Sequence, residues 1–350
     1  MPCGEYFTDY ESRMGLFRWR IQRVALVGLL PLPFLAPLVL GGGTLSTLTQ
    51  VYIFGVAVLG LNVILGYAGE IVLAQGAFMG IGAYTTAHLL AVDEAMLGFQ
   101  VGLLPAMVVG GVMAAAVAVA FGLPSFRVKG FYIAISTLAL QFIAEWFFRN
   151  GEAAWLHGGT QQQMPVEPGL VGPLFALGGD TDIYYLSLVV VLLFALLSLN
   201  LSRTGVGRQM RAVHENDLAA AVLGVRVFYN KLLAFAVGGF MIGVAGGLFA
   251  YYIGFISPSY FTLELTLQHY VMLLFGGMGR VWGALLGTGV VTMLQEYINE
   301  AITAVARDAT ALEPVVFGVI IIVVLAVEPK GLLAGLGQVK EYLQKWPYAY

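Results

Sequence analysis

A series of long apolar runs limits this chain more than any other feature. A membrane helix needs about 20 mostly apolar residues in succession. Ten segments fit, at roughly 22–41, 46–66, 71–91, 98–122, 130–149, 183–201, 231–254, 262–277, 280–300 and 313–328. Soluble domains are about half apolar and a quarter charged; here 59% of residues are hydrophobic and 11% charged. The expected fold class is therefore all-α, a polytopic membrane protein of about ten transmembrane helices. It divides into an N-terminal segment (1–21), a membrane domain (22–328) and a C-terminal tail (329–350). Two runs look interrupted. Residues 71–91 follow GYAGE with almost no loop, and 262–277 is short and holds Glu264 and His269. Broken or re-entrant helices are expected near 70 and 278, because irregular backbone is tolerated at membrane depth only inside protein or beside water.

Basic residues fix an orientation. Arg13, Arg18 and Arg20 precede the first run and Arg23 stands at its start, so the N-terminus is expected in the cytoplasm. With ten spans, Arg127, Lys129, Arg203, Arg208, Arg211, Arg226, Lys231, Arg280, Lys330, Lys340 and Lys345 also fall inside. The segment 150–182 falls outside and carries Glu152, Glu167, Asp180 and Asp182 without Lys or Arg. Arg307 is the exception. No small-residue cleavage site follows the first run, so it reads as a retained helix rather than a signal peptide. The net charge of −3 argues against a nucleic-acid partner. A single cysteine, Cys3, excludes a disulfide framework or cysteine metal site within one chain.

The longest inward loop, 202–230, looks built to fold. Asn216 and Asp217 are good helix N-caps, LAAAVL follows, and Gly224 supplies a stop. About two turns of helix are unstable alone in water, so docking against another surface is expected, the alternative being an interfacial loop whose arginines meet anionic headgroups. Upstream, Gly207–Val213 forms a second short helical pattern. A weak internal echo also appears, LGYAGE (65–70) against FGGMGR (275–280). Transporters often carry such interruptions in corresponding halves.

Charges inside a membrane are costly and usually face a bundle interior. By this topology Glu145, Glu264, Glu296 and Glu300 lie near outer helix ends. Gln141 and His269 lie deeper, Glu70 lies at the inner end, and Gln75 follows the first interruption. Glu70, Gln75, Gln141, Glu145, Glu264 and His269 are the candidates for a translocation path. For Glu145 the favoured alternative is interfacial solvation or an i,i+4 ion pair with Arg149. His269 has no histidine or cysteine at ligand spacing, so a hydrogen-bonded bundle histidine is favoured over a metal ligand. No catalytic arrangement and no G-x-x-x-x-G-K-[ST] phosphate loop occurs. Any energy source for active transport must be another chain, and an ion-coupled secondary transporter stays open on the residues alone.

The order G-R-x-x-R-A-x-x-E-N-x-x-A-A-x-x-L-G, Gly207 to Gly224, resembles the "EAA" loop of ABC importer permeases. More narrowly, it resembles the branched-chain amino-acid, LivM-type permease family. GYAGEIVLAQGAFMGIGAY (66–84), KGFYIAISTLAL (129–140) with Glu145, FGGMGRVWGALLG (275–287) and Glu328-Pro-Lys-Gly-Leu332 are similar to further stretches of that family. Three departures stand out: Glu70 where the family usually has glutamine, Ala74-Gln75, and the outer GGTQQQMPVEPGL (158–170). The resemblance implies an inner-membrane permease with both termini cytoplasmic. It would pair with a second, LivH-type permease, two ATPase subunits and an extracytoplasmic binding protein. ATP and Mg would be bound by those partners, and this chain would hold no cofactor. Gly207, Arg208, Arg211, Ala212, Glu215, Asn216, Asp217, Ala219, Ala220, Leu223 and Gly224 would form the ATPase-coupling loop. Branched-chain or other hydrophobic amino acids are the implied cargo, with urea, short amides or aromatic compounds as alternatives.

Overall fold

The computed structural model describes residues 31–91, 102–126, 132–150, 164–165, 170–172, 175–176, 179–305 and 318. Of the first expected span, 22–30 lies outside them, as does all of the tenth except residue 318. Within them the chain runs α1 (Pro31–Val39), α2 (Gly42–Leu61), a π-helical turn (Asn62–Tyr67), α3 (Gln75–Ala91), α4 (Leu103–Ser125) and α5 (Tyr132–Arg149). After short extended pieces follow α6 (Asp180–Arg203), α7 (Gly205–Glu215), α8 (Asp217–Val222), α9 (Val227–Ile253), α10 (Leu263–Gly276) and α11 (Val281–Val305). The only described strands are minimal. Met164–Pro165 pairs with Phe255–Ile256, and Leu170–Gly172 with Phe175–Ala176, both antiparallel.

Four described helices are long and apolar enough to cross a membrane: α2 with its π turn, α4, α6 and α9. A fifth span results if the bent α10–α11 pair is taken as one. Helix α9 forms the axis, packed by α2, α3 and α4. Its glycines allow this. A Cβ at Gly82 of α3 would strike the Gly243 backbone, and Gly243 in turn lies against Gly110 and Gly111 of α4. Such small-residue contacts let helix backbones touch where lipid supplies no hydrophobic driving force between helices. Away from this seam α4 turns Val108, Val109, Val112, Met113 and Phe121 outward and buries Gly110, Gly111, Ala114 and Ala118. That is the pattern of a helix with one face in protein and one in hydrocarbon.

Both expected interruptions are present. The run expected to begin at 71 becomes helical only at Gln75, because the chain between turns through Gly69 at φ +75°. At the second, α10 and α11 meet at 119° across Gly277–Arg280, with Gly277 and Gly279 both at positive φ. Gly276, Gly283 and Gly287 bring the two backbones into contact, leaving no room for a Cβ.

Candidate functional site: a loop fastened to two helix breaks

The loop 202–230 folds into two helices with different surroundings. Helix α7 is capped by Thr204, whose hydroxyl accepts from the Gly207 amide at 3.2 Å. Gly207, Met210 and Val213, three apart, face inward and are buried. A side chain at Gly207 would overlap the Leu201 carbonyl, so the sharp corner after α6 requires glycine. Arg208, Arg211, Glu215 and Asn216 are exposed.

Helix α8 follows the expected design. Asn216 Oδ1 accepts from the amides of Leu218 and Ala219, both at 3.0 Å. Gly224, at φ +82°, ends the helix. Its amide donates to Ala221 O and that of Val225 to Ala220 O, each at 3.0 Å, the doubled bond pattern that satisfies orphan carbonyls at a helix end. What the sequence did not reveal is the facing. Ala220 points inward with 2% exposure, while Leu218, Val222 and Leu223 are 72%, 88% and 82% exposed. Ala220, expected to form part of a docking face, instead packs α8 onto its own chain. Leu218 and Val222, not among the expected loop residues, are the apolar groups left open.

Four contacts tie this loop to the bundle. Lys231 Nζ lies 2.6 Å from both Glu70 Oε1 and Asp217 Oδ2, joining α9, the first break and α8. His214 Nδ1 donates to the Gly66 carbonyl at 3.2 Å. The Arg211 guanidinium lies over the Tyr67 ring, 5.1 Å from its centroid, within range of a cation–π attraction. Asn230 Nδ2 donates to Gln209 Oε1 at 3.3 Å. Three of the four end on residues 66–70, so the loop grips the first break. That break in turn touches the second, since the Gly279 amide donates to Asn62 Oδ1 at 2.8 Å. The two segments that echo each other in sequence thus meet in space.

Deeper in the bundle, side chains from α5 and α10 hold the entry to α3. Tyr270 Oη accepts from the Val72 amide at 2.8 Å and donates to its carbonyl at 2.9 Å. Thr137 accepts from the Leu73 amide at 3.0 Å, Thr266 from Gly76 at 2.9 Å and Gln141 from Ala77 at 2.8 Å. The first amides of a helix have no partner of their own; here other helices provide them. Gln75 Nε2 donates to Ala57 O at 3.3 Å and to His269 Nδ1 at 2.9 Å. That network assigns the His269 proton to Nε2. Gln75 Oε1 and His269 Nε2, both fully buried, have no hydrogen-bond partner among the described residues.

The six path candidates therefore separate. Gln75 and His269 form one buried pair. Gln141 donates to Phe261 O at 2.8 Å and to Glu145 Oε1 at 3.1 Å, and Glu145 Oε1 also accepts from the Leu263 amide at 2.9 Å. Glu145 thus meets the positive N-terminal end of α10 and does not form the favoured ion pair with Arg149. Glu70 belongs to the loop cluster, and Glu264 is exposed. Glu296 is exposed as well, while the side chain of Glu300 lies outside the described residues. No group of three potential metal ligands occurs among the described residues. Asn62, His214, Thr266 and Tyr270 make contacts that their sequence surroundings did not single out. The one available signal was Asn62, an amide in an otherwise apolar run.

A protein-family profile described as branched-chain amino acid transport system / permease component matches residues 43–325. The chain belongs to this permease family. Its matched region contains both breaks and the loop between α6 and α9. Among relatives, the high-affinity branched-chain amino acid transport system permease protein LivM of Escherichia coli K12 is 31% identical over 337 residues. That covers 89% of this chain and 75% of the relative. LivM of Salmonella typhimurium LT2 is 28% identical over 335 residues, with the same coverage. The autoinducer 2 import system permease protein LsrC of Salmonella paratyphi B is 36% identical over a shorter stretch, 37% of each chain. No solved structure matches. Family members are permease components of transport systems, and the apolar helices described above make this one an integral membrane protein.

Proposed function

We propose that this chain is the membrane-spanning subunit of an ATP-driven importer for branched-chain or other hydrophobic amino acids. In this reading the loop end of the bundle and both termini lie in the cytoplasm. Two ATPase subunits dock beneath, a second permease completes the pathway, and a binding protein delivers cargo from outside. ATP and Mg belong to the ATPases. The observation that carries the reading is α8. It is capped at both ends and clamped to the bundle, yet its large apolar side chains are exposed. Fully burying such a side chain stabilises by about 1.5–3 kcal/mol, which favours a groove on a partner as their destination.

Movement of the ATPases on binding and hydrolysing ATP would be felt first at α8. From there it passes through Asp217 and Lys231 to Glu70, and through His214 to Gly66. The first break and its neighbour at Gly279 are then the elements that shift. In the described conformation the Gln75–His269 pair and the Gln141–Glu145 contacts hold α3 against α10 and α5, as closing contacts on the path. The two unpartnered polar atoms, Gln75 Oε1 and His269 Nε2, supply an acceptor and a donor to a passing cargo once that contact opens.

The test replaces the outward residues and leaves the inward ones. With Leu218→Asp and Val222→Asp combined, the permease is expected to insert and fold, lose the co-purifying ATPases and cease ATP-driven leucine uptake in proteoliposomes. If the ATPases stay bound and uptake continues, α8 is not the coupling helix. Uptake by the purified chain alone, driven by an ion gradient without ATP, would replace the importer reading with a secondary transporter.

A further inference from the structure

Three outward helix faces of this bundle are wholly apolar through their middles, and a fourth is not. Along α4, α5 and α6 the exposed side chains away from the helix ends are all apolar, Val112, Phe142 and Leu193 among them. That suits hydrocarbon. The outward side of α10 and α11 instead carries amides and carboxylates. Gln268 Nε2 of α10 donates to Gln295 Oε1 of α11, and both side chains are half-buried. Glu264, one turn before Gln268, and Glu296, next to Gln295, are exposed.

Gln295 lies about 21 Å along α11 from the second break, at 1.5 Å per residue, well inside a hydrocarbon layer of about 30 Å. Gln268 Oε1 and Gln295 Nε2 have no partner among the described residues and are not enclosed by them. Lipid tails offer such groups nothing, and polar side chains at this depth face protein or a water-filled cavity. The chain's own apolar runs outside the described residues do not answer them: 24–30 and 314–327 hold no amide, hydroxyl or charged side chain. A second copy of this chain would answer the amides but set its Glu264 and Glu296 against the same carboxylates, and like charges across an interface are disfavoured. Exposed Leu286, Val290, Met293 and Tyr297 run along α11 beside the amide pair, at the alternating spacing of four and three along which a second helix packs. Farther from the break a cavity of about 570 Å³ opens between Met293, Glu296 and Tyr297 and the start of α2, with room for a long basic side chain.

We propose that the α10–α11 face is the seat of a second, different membrane-spanning chain. One of its helices lies along α11, offers an amide or hydroxyl side chain to Gln268 Oε1 and Gln295 Nε2, and sends a lysine or arginine to Glu296 in the cavity beside α2. The proposal rests on the importer reading above, which calls for a second permease without saying where it sits. The seat is made by the two helices of the second break, so a shift passed to Gly279 from the first break reaches the partner chain directly.

The test uses membranes holding this chain, a co-expressed LivH-type permease and the two ATPases, with the photocrosslinker benzoylphenylalanine placed singly at Val290, Val112 or Leu193. Val290 is expected to crosslink to the second permease, and Val112 and Leu193 to lipid alone. In proteoliposomes of the two full-length permeases, energy transfer between their labels is followed as lipid dilutes them. Gln268→Leu combined with Gln295→Leu should weaken association roughly tenfold, the factor that about 1.4 kcal/mol represents. Glu296→Lys, at an exposed position, should weaken it at least as much without disturbing the bond between α10 and α11. Crosslinking from Val290 to a second copy of this chain, to its own 314–327 or to lipid alone overturns the proposal. So does equal crosslinking to the second permease from Val112 or Leu193, or association indifferent to both variants. Failure of ATP-driven uptake is a different result. It removes the importer reading, while the crosslinks still decide what covers α10 and α11.

Discussion

Helices α7 and α8 adjoin in sequence, share the residue pair 215–216 as their joint, and use their apolar side chains in opposite ways. Helix α7 turns Met210 and Val213 into the bundle and keeps Arg208 and Arg211 outside. Helix α8 turns only Ala220 inward and leaves Leu218, Val222 and Leu223 exposed. An 11-residue amphipathic helix can find its stability within its own chain. A 6-residue helix buries too little to do so and depends on caps, clamps and whatever covers its outer face. The contrast separates a bracket, α7, from a contact, α8, inside one loop.

The largest effect that sharpens this contrast is on the bracket. Met210→Ala should cost about 2–5 kcal/mol, as for other buried large-to-small changes. Thermal unfolding of the permease in detergent should read it as a lowered Tm, while the fraction that remains folded still binds the ATPases. Next comes the contact. Leu218→Ala should leave Tm nearly unchanged but weaken ATPase association by about 1.5–3 kcal/mol, the value of one buried leucine. Titration of labelled ATPase against permease in nanodiscs measures it directly, and an equal loss of Tm and affinity would erase the distinction. The smallest effect falls on the joint. Asn216→Ala removes the cap of α8 and should cost about 1 kcal/mol, seen mainly as faster amide exchange over 217–223 and only slightly in assembly.

Local features of this site could be read from the sequence because their causes are local. A cap, a short run of helix formers and a glycine stop lie within nine residues of one another, and Asn216 and Gly224 take those roles here. The breaks near 70 and 278 were visible for the same reason, as glycines interrupting apolar runs. Facing was not legible. With Leu, Ala and Val along six residues, the pattern does not say which side the bundle claims, and so Ala220 was counted with the coupling residues while Leu218 and Val222 were not. Nor were the long contacts. Lys231 counts along the chain as one more basic residue near an inward end; only the fold brings Glu70 and Asp217 to the same nitrogen. Glu145 shows the limit most plainly. Arg149 stands at ideal helical spacing, yet Glu145 takes Gln141, equally four residues away, and the N-terminus of α10, which no sequence spacing records.

The bond between Asn62 and Gly279 has a kinetic side. It joins the π-helical turn before the first break to the glycine turn of the second, in surroundings where an unmet backbone N–H costs about 1–3 kcal/mol. A shift of one break by more than a hydrogen bond's reach must carry the other along or leave that donor stranded. The two breaks therefore change together at low cost and separately at high cost, so a half-switched permease should be a sparsely populated species.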